Sequence, residues 1–324
     1  MARKLAGSVV VITGASSGIG RATAVRFAGQ GAHVVLAARR DDALDQVALD
    51  CEEAGGRALA VPTDVTDGAA VDALAHEAVA EFGGIDVWVN NAGVSVFGRF
   101  EDVPAEDFDR VVDINLLGCV RGTRAALSHF RGRGRGTVIN VASVYGRVGV
   151  PFATAYAASK FGVVGFGEAL RQELLEDQDI HVTTILPAAI DTPFFQHAAN
   201  YLGRRPRPPR PVHDAEIVAE AIVRCARKPQ RERVVGGAGR LMRQQRAMAP
   251  KTFEKVHRRM TEHEHFEDAP AAPTSGNLHE PVASGTQVSG GWASSRAPLR
   301  RKLVPLLVVG TGVVVARRAA RNGS

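Results

Sequence analysis

Three residues of this sequence have the types and the spacing that proton transfer to a carbonyl oxygen requires: Ser143, Tyr156 and Lys160. Tyr156 and Lys160 are four residues apart, so in a helix both side chains lie on one face. Because an ammonium stabilises a nearby phenolate, we expect Lys160 to lower the pKa of Tyr156 from its usual value of about 10. Such a tyrosine can exchange a proton with a carbonyl or alcohol oxygen, while the Ser143 hydroxyl hydrogen-bonds the same oxygen.

The tyrosine–lysine spacing needs support from the rest of the chain, because an isolated Tyr-x-x-x-Lys is also typical of an ordinary pair on a helix surface. Tyr145 offers a comparison. The residue four positions after it is Gly149, so Tyr145 lacks the partner that Tyr156 has.

A glycine-rich segment near the N-terminus indicates a phosphate site. It has three glycines in eight residues and follows the apolar run Val9–Thr13. Glycines permit a tight turn and let backbone N–H groups approach a pyrophosphate at the start of a helix. The residues expected to contact a dinucleotide here are Gly14, Ser16, Ser17, Gly18, Ile19 and Gly20.

The end of the second apolar run bears on which dinucleotide binds. An NAD site places a carboxylate here, on the ribose 2′-hydroxyl. In this chain Arg39 and Arg40 come first, and the acids Asp41 and Asp42 follow. Because guanidinium groups bind a phosphate bidentately, the pair favours NADP, with NAD as the alternative. Ordinary surface charges at a strand end are the other interpretation.

A sheet must position these residues, and the chain from residue 9 to about 190 alternates short apolar runs with longer segments of helical composition. The runs are too short and too continuously apolar for amphipathic helices, so they predict strands buried on both faces. This alternation requires right-handed crossovers and predicts a doubly wound parallel sheet, the three-layer α/β Rossmann fold. The predicted strands are 9–13, 33–38, 58–65, 85–90, 136–143 and 181–187, and predicted helices include 20–30, 69–82 and 105–130.

Composition excludes several classes of protein. The chain has 324 residues, of which 45% are hydrophobic and 23% charged, which excludes wholesale disorder and a collagen-like chain. Its cysteines, Cys51, Cys119 and Cys225, are far apart and form no Cys-x-x-Cys pair. They indicate neither a thiolate metal site nor a disulfide framework, and they favour a reducing compartment. The first apolar run is too short for a signal peptide, so we expect a cytoplasmic protein.

The chain divides by composition into a catalytic domain and three C-terminal segments. Residues 1–238 form the predicted domain, with an aromatic and Arg/Pro-rich substrate lid at about 191–212. Residues 239–265 are polar and basic and predict a helical extension. Residues 266–298 are rich in Ala, Pro, Ser, Gly and Thr, a composition that predicts a flexible linker. Residues 299–324 form an apolar tail between basic residues.

The apolar tail and the charge distribution suggest a membrane surface as a partner. Residues 1–199 contain 17 Lys and Arg against 24 Asp and Glu, whereas residues 200–324 contain 23 against 10. Fourteen residues without a charge, 303–316, lie between basic residues, and as a helix they would span about 21 Å against a hydrocarbon core of about 30 Å. Residues 300–321 are therefore expected to associate with a membrane; packing on the protein or a partner subunit, and disorder, are the alternatives.

Taken together, these motifs resemble those of the short-chain dehydrogenase/reductase superfamily over residues 7–235. The resemblance includes the Thr13–Gly20 turn and the end of the third strand. It continues after the fourth strand with Asn90-Asn91-Ala92-Gly93, and the remaining matches are Asn115, Ser143, Tyr156 and Lys160. One departure is visible: Pro187 is followed by Ala188, where the family often has Pro-Gly.

The resemblance implies roles for further residues. Asn115 would support a water-mediated proton relay behind Lys160, and Lys160 would also hold the nicotinamide ribose. Asp64 would contact the adenine, and Asn91 the sugar and the central sheet. The remaining cofactor contacts that it implies are Val65, Ala92, Gly93, Pro187, Ile190 and Thr192, besides Tyr156 and Lys160. A homo-oligomer is expected as well.

The sequence thus predicts an NADP(H)-dependent oxidoreductase that interconverts a carbonyl and a secondary alcohol. The aromatic residues Phe97, Phe152, Phe194, Phe195 and Tyr201 indicate a small apolar substrate, although some of them could simply pack in the core or lid. The alternative is a non-catalytic, cofactor-sensing scaffold on the same fold, for which a damaged catalytic set would be typical.

Metal and nucleic-acid sites are not expected. His257, His263 and His265 lie in or next to a Glu-rich helix, where solvated side chains are the simpler interpretation, and the tyrosine supplies the acid that a metal would otherwise supply. The basic residues between 204 and 210 alternate with proline and lack interleaved aromatics, a pattern that does not favour nucleic acid as a partner.

Overall fold

The alternation of apolar runs and helical segments becomes an alternation of strands and helices, as predicted. The computed structural model describes residues 4–293, apart from the side chains of residues 238–241 and 243. In that range the strands are β1 (Val9–Thr13), β2 (His33–Ala38), β3 (Arg57–Pro62), β4 (Val87–Asn90), β5 (Val96–Phe97), β6 (Gly136–Val141), β7 (Ile180–Pro187), β8 (Ile190–Asp191), β9 (Ala199–Asn200), β10 (Arg204–Pro206), β11 (His213–Asp214), β12 (Glu232–Val235) and β13 (Phe266–Pro270).

Helices connect and follow these strands. They are α1 (Gly18–Ala28), α2 (Asp41–Glu53), α3 (Gly68–Phe82), α4 (Ala105–Val112), α5 (Gly118–Arg133), α6 (Thr154–Glu173), α7 (Phe194–His197), α8 (Ala215–Arg227), α9 (Ala238–Met248) and α10 (Pro250–Glu264). Single turns of 3₁₀-helix lie at Phe100–Asp102 and Val144–Gly146, and a π-helical turn spans Asp113–Leu117.

Seven strands form the central sheet in the order β12-β7-β6-β4-β1-β2-β3, and every pair of neighbouring strands in it is parallel. From β1, the strands β2 and β3 follow on one side of the sheet, and the strands β4, β6, β7 and β12 follow on the other. The switch point therefore lies between β1 and β4, and in sheets of this kind ligands bind in the crevice at the carboxyl ends of the strands beside it. The predicted doubly wound parallel sheet is confirmed.

Strand β1 shows why helices cover both faces of the sheet. All five of its residues are buried, because successive side chains point to opposite faces and both faces are covered. Val10 and Ile12 belong to one apolar cluster, which also contains Phe27, Leu44 and Ile222 from α1, α2 and α8. Val9 and Val11 belong to another, with Leu74 and Phe130 from α3 and α5.

The segment predicted as one helix over 105–130 is two helices joined by a π-helical turn. Helix α4 ends at Val112, the turn Asp113–Leu117 follows, and α5 begins at Gly118. Periodicity alone does not reveal this turn, because a single wider turn shifts the helix face without interrupting the helical composition. π-Helical turns inside helices are frequent at functional sites, and this one contains Asn115.

The lid and the C-terminal extension contain more regular structure than the sequence predicts. Within 191–212, α7, β9 and β10 interrupt the irregular chain, and β9 pairs with β5. The extension 239–265 is helical, as predicted, in α9 and α10. His257 and His265 are buried there rather than solvated, whereas His263 is exposed.

The prediction of a flexible linker over 266–298 is wrong for residues 266–293. Strand β13 pairs with β10, and the chain then lies against the body, with Leu278 fully buried. The composition of a segment reflects only how much side-chain surface it can bury. Here much of the attachment comes from backbone carbonyls that accept hydrogen bonds from arginines of the body.

The predicted membrane-associated tail, residues 299–324, lies outside the described residues. Within residues 4–293, no helix has the length and apolar character needed to cross a membrane.

Gly122 of α5 is expected to be a sensitive packing position. A Cβ atom there would lie 2.3 Å from Asn90 Oδ1 and 2.6 Å from Trp88 Nε1, two buried groups that hydrogen-bond each other. Gly122→Ala should therefore lower the free energy of unfolding by about 1–3 kcal/mol, measured by urea titration. Gly132→Ala in the same helix is the control: nothing lies within 4 Å of its Cβ position, so this change should be neutral or stabilise by up to about 1 kcal/mol. Equal effects of the two variants would contradict this account.

Candidate active site

Helix α6 and the end of β6 bring the three predicted proton-transfer residues together. Tyr156 and Lys160 lie one turn apart near the start of α6, and the Lys160 Nζ is 5.7 Å from the centroid of the Tyr156 ring. Ser143 follows β6; its hydroxyl accepts a hydrogen bond from the Tyr145 backbone N–H at 3.1 Å and lies near enough to the Tyr156 phenol to affect its pKa. The Lys160 ammonium donates to the Val141 carbonyl at 2.9 Å and is buried.

Burial has opposite effects on the two titratable groups of the set. It raises the pKa of Tyr156 to about 12, against a smaller lowering by the Ser143 hydrogen bond, and it lowers the pKa of Lys160 to about 8. The direction for Tyr156 is the reverse of the one expected from the sequence. The reason is geometric: the phenol is enclosed, and the Lys160 ammonium points to the Val141 carbonyl. Tyr156 is consequently a protonated acid at neutral pH.

The π-helical turn places Asn115 beside this set. Its side chain accepts a hydrogen bond from the Val94 backbone N–H at 2.8 Å and donates to the Val94 carbonyl at 3.0 Å and the Ser159 hydroxyl at 2.9 Å. A Cβ atom at Gly93 would lie 3.4 Å from Lys160 Nζ and 3.5 Å from Asn115 Oδ1, so Gly93 lies between the two groups. Asn115 and Lys160 therefore lie near each other, and the proton relay implied for Asn115 stays a prediction.

The glycine-rich turn is packed so closely that side chains are excluded. A Cβ atom at Gly20 would lie 2.1 Å from the Gly14 carbonyl oxygen, and one at Gly14 would lie 2.7 Å from the Ala92 Cα. Gly14 and Gly18 also have positive φ angles of 66° and 51°. These glycines bring the start of α1 against the end of β4, with Ser16 and Ser17 between them and Ile19 in the first turn of the helix.

Asn91 ties this turn to the sheet. Its side-chain amide donates to the carbonyls of Thr13 and Gly14, both at 3.0 Å, and the Thr13 hydroxyl accepts from the backbone N–H groups of Asn91 and Ala92. These contacts join the glycine-rich turn to the end of β4, and a contact of Asn91 with the cofactor sugar stays a prediction.

Cationic and anionic groups gather at the carboxyl ends of β2 and β3. Arg39 and Arg40 follow β2. Asp64 follows β3, where it accepts hydrogen bonds from Thr66 and, at 2.8 Å, from Arg110. Burial would raise the pKa of Asp64, but these hydrogen bonds outweigh it and the pKa is lowered. Burial also lowers the pKa of Arg39. Arg110, which no sequence signal indicated, is part of this cluster.

The remaining predicted cofactor residues lie along the same crevice. Val65 and Ala92 pack in one apolar cluster at the end of the sheet, together with Ile114. Pro187 ends β7, and Ile190 and Thr192 follow it. Thr192 reaches the glycine-rich turn, because a Cβ atom at Gly18 would lie 3.0 Å from Thr192 Cγ2. The crevice thus runs from Arg39 to Thr192.

These residues fit a phosphate-containing dinucleotide. The glycine cradle leaves no space for a Cβ, and the guanidinium groups of Arg39 and Arg40 contact backbone carbonyl oxygens, the Arg39 Nη2 at 2.6 Å from Asn277 and the Arg40 Nη1 at 2.5 Å from Val282. The backbone N–H of Gly18 donates to the Gln287 carbonyl at 3.1 Å. In each case a backbone carbonyl oxygen accepts the hydrogen bond, and a phosphate oxygen could accept it in the same way.

Aromatic side chains lie around Tyr156. The Phe194 ring centroid is 5.5 Å from that of Tyr156, and Phe97, Phe152 and Phe195 pack in the same apolar cluster as Tyr156. Of the predicted pocket residues, Tyr201 differs: its hydroxyl donates to Asp107 at 2.6 Å, and its ring packs in the cluster around Val65.

A buried tyrosine–histidine pair next to this pocket was not predicted. The Tyr145 hydroxyl and His265 Nε2 are 3.1 Å apart, and the neighbouring Phe266 joins the aromatic cluster. Burial raises the pKa of Tyr145 and lowers that of His265 to about 3, so both groups are neutral at pH 7. They are 120 positions apart in the chain, and no local pattern could have joined them.

Comparisons with known proteins agree with the geometry. A family model described as short chain dehydrogenase matches residues 8–201. The chain is similar to an uncharacterised oxidoreductase, YxnA, of Bacillus subtilis, with 38% identity across 98% of this chain and 92% of that protein. It is 42% identical to 3beta-hydroxysteroid dehydrogenase 1 of Eggerthella lenta over 58% of this chain and 73% of that one. A putative oxidoreductase, SadH, of Mycobacterium tuberculosis is 35% identical over 71% and 86%, respectively.

The buried His265 is expected to make stability depend on acid pH. Its folded pKa of about 3 lies below the ordinary value of 6.5, so the unfolded chain binds a proton that the folded protein excludes. The free energy of unfolding should be highest above pH 6.5. It should decrease by on the order of a few kcal/mol as the pH falls toward 3.

The measurement is urea unfolding between pH 5 and pH 8. His265→Gln should flatten the pH dependence, although His257, whose pKa burial also lowers, will leave part of the slope. His263→Gln, at an exposed position two residues away, is the matched control and should retain the wild-type slope. An unchanged slope in His265→Gln would exclude His265 as its source.

Proposed function

Because the chain belongs to the short-chain dehydrogenase family, we propose that it is an NADP(H)-dependent oxidoreductase that interconverts a carbonyl and a secondary alcohol. The observation that carries this proposal is the complete set of Ser143, Tyr156 and Lys160 at the end of the crevice, with Asn115 behind it. A cofactor-sensing scaffold without catalysis is the alternative, and the intact set argues against it.

The bound nicotinamide would supply or accept the hydride. Tyr156 then acts as the acid in the reducing direction: its phenol is protonated at neutral pH, and it transfers that proton to the carbonyl oxygen. The Ser143 hydroxyl hydrogen-bonds the same oxygen and orients it. Lys160 places a positive charge below the ring, which favours the phenolate left after the transfer. Asn115 fixes the chain around Lys160.

The two arginines after β2 support NADP over NAD. The first residues beyond that strand are cationic and lie against acceptor oxygens, whereas the carboxylate of Asp64, at the end of β3, is held by Arg110. A 2′-phosphate would add two negative charges to this cluster and receive bidentate hydrogen bonds from it.

An apolar substrate is supported by the enclosure of Tyr156 among phenylalanines. The Phe194 ring packs against Tyr156. Phe97, Phe152 and Phe195 belong to the same apolar cluster, and Tyr145 of the polar Tyr145–His265 pair joins that cluster as well. The name of the Eggerthella relative recommends hydroxysteroids and their ketones as the first compounds to test, in a panel with other ketones, aldehydes and acyl thioesters. We expect the enzyme to act as a homo-oligomer.

Tyr156→Phe should decrease kcat by about 100-fold or more, because it removes the transferable proton and leaves the ring in place. Its Kd for NADP⁺, measured by calorimetry, should stay within about twofold of wild type. Tyr201→Phe makes the same chemical change at a phenol that contacts Asp107 instead, and it should retain most of the turnover. Full activity in Tyr156→Phe would remove Tyr156 from the mechanism.

Arg39→Asp should reverse the cofactor preference, since a carboxylate repels a 2′-phosphate and accepts a hydrogen bond from a ribose 2′-hydroxyl. The ratio of kcat/KM for NADPH to that for NADH should fall by about tenfold or more. The ratio is the proper measure, because any other consequence of losing Arg39 affects both cofactors equally. Arg131→Asp, an exposed arginine on α5, is the control. Equal losses for both cofactors would show that Arg39 does not meet the 2′-phosphate.

A further inference from the structure

Residues 277–292, hereafter the strap, follow the crevice that the cofactor residues line. The strap has no regular secondary structure beyond isolated turns, yet residues from Asn277 to Trp292 contact the crevice at intervals. Three groups of its contacts succeed one another along the chain in the same order as the adenosine, pyrophosphate and nicotinamide ends of the proposed site.

The first group lies at the ends of β2 and β3. Arg39 donates to the carbonyls of Asn277, Leu278 and His279 at 2.6–3.2 Å, and Arg110 donates to that of Leu278 at 3.1 Å. The Leu278 side chain is fully buried in the cluster that contains Val65, Ala92 and Ile114. The Leu278 side chain therefore fills the part of the crevice proposed for the adenine. The backbone carbonyls accept the hydrogen bonds of the Arg39 guanidinium, which is the group proposed to bind the 2′-phosphate.

The second group lies at the glycine-rich turn. The Gly18 N–H donates to the Gln287 carbonyl at 3.1 Å, and Arg21 donates to the Thr286 carbonyl at 3.0 Å. Val288 packs against the apolar cluster that also holds Ile19 and Ile190. The N-terminus of α1, which favours negative charge, thus receives a carbonyl oxygen in place of a pyrophosphate oxygen.

The third group lies after β7. The buried Asp191 carboxylate accepts hydrogen bonds from the Ser289 hydroxyl and from the backbone N–H groups of Gly290, Trp292 and Ala293. The Trp292 indole donates to the Thr192 carbonyl at 3.1 Å, and its ring centroid is 6.4 Å from that of Phe195 in the lid. The strap therefore ends at the segment assigned to the nicotinamide and also contacts the lid.

We propose that the strap is an internal competitor of the dinucleotide: it occupies the cofactor crevice in the resting protein and must leave at least its Asn277–Val288 part before NADP binds. The inference rests on the proposed cofactor site. If the strap were a clamp over a bound cofactor, the Gly18 N–H and the apolar surface around Val65 would remain free to contact the cofactor. In this structure the Gly18 N–H donates to the Gln287 carbonyl, and the Leu278 side chain packs on the surface around Val65.

Competition makes cofactor affinity depend on how often the strap is open. The apparent Kd equals the intrinsic Kd divided by the fraction of molecules in the open state, so weakening the strap must tighten binding. The Asp191 contacts can persist when the remainder opens, because they lie at its C-terminal end. The aligned length of the Bacillus relative covers 98% of this chain and therefore includes the strap.

The first experiment is calorimetry of NADP⁺ binding to full-length protein. Leu278→Ala with Val288→Ala removes the two apolar anchors of the strap without changing Arg39, Gly18 or Thr192, and it should lower the Kd by about fivefold or more. Ala283→Ser, at an exposed position of the strap, is the matched control and should bind as wild type does. An unchanged or higher Kd in the double variant would overturn the proposal.

The second experiment is hydrogen exchange of wild-type protein with and without NADP⁺. Competition predicts that amides of residues 277–288 exchange faster when the cofactor is bound, whereas a clamp predicts slower exchange and would overturn the proposal. Tryptophan fluorescence gives an optical check on the strap. The chain has two tryptophans, and because Trp88 is fully buried in the core, a change in fluorescence on adding NADP⁺ reports on Trp292. If no variant binds NADP⁺ or NAD⁺, the proposed function itself fails together with this inference.

Discussion

The rest of the site depends on the close approach between the glycine-rich turn and the end of β4. Gly14 and Gly20 leave no room for a Cβ, and Asn91 hydrogen-bonds the turn from the neighbouring strand. This contact fixes the N-terminus of α1 at the switch point of the sheet. The positions of the other crevice groups are set relative to this contact, because the loops that follow parallel strands all lie at the same edge of the sheet.

Burial then sets the chemistry of the groups at that edge. The same loss of solvent raises the pKa of Tyr156 and lowers that of Lys160, so burial favours the neutral form of both groups. The enclosure comes from the lid through Phe194 and Phe195 and from the chain after α10 through Phe266. Segments far from Tyr156 in sequence thereby control its electrostatics.

The strap extends this control to the cofactor end. Hydrogen bonds from arginines and from a helix N-terminus are suited to phosphate oxygens, but they are also satisfied by backbone carbonyls, which any extended segment can present. A crevice built for a dinucleotide is for that reason a good receptor for a peptide of the same length. Through Trp292 and Phe195, the strap and the lid contact each other. Under the proposed function, cofactor entry and substrate access would therefore share one set of contacts.

The sequence by itself determined the parallel α/β sheet, the glycine-rich turn and the pairing of Tyr156 with Lys160, because each depends on local periodicity or on spacing within one element. Tertiary structure decided the rest. The π-helical turn at Asn115, the Tyr145–His265 pair and the direction of the Tyr156 pKa depend on burial and on contacts across many residues. The strap is the clearest case: its composition predicts a linker, and only the arginines and N–H groups of a crevice built by other segments hold it in place.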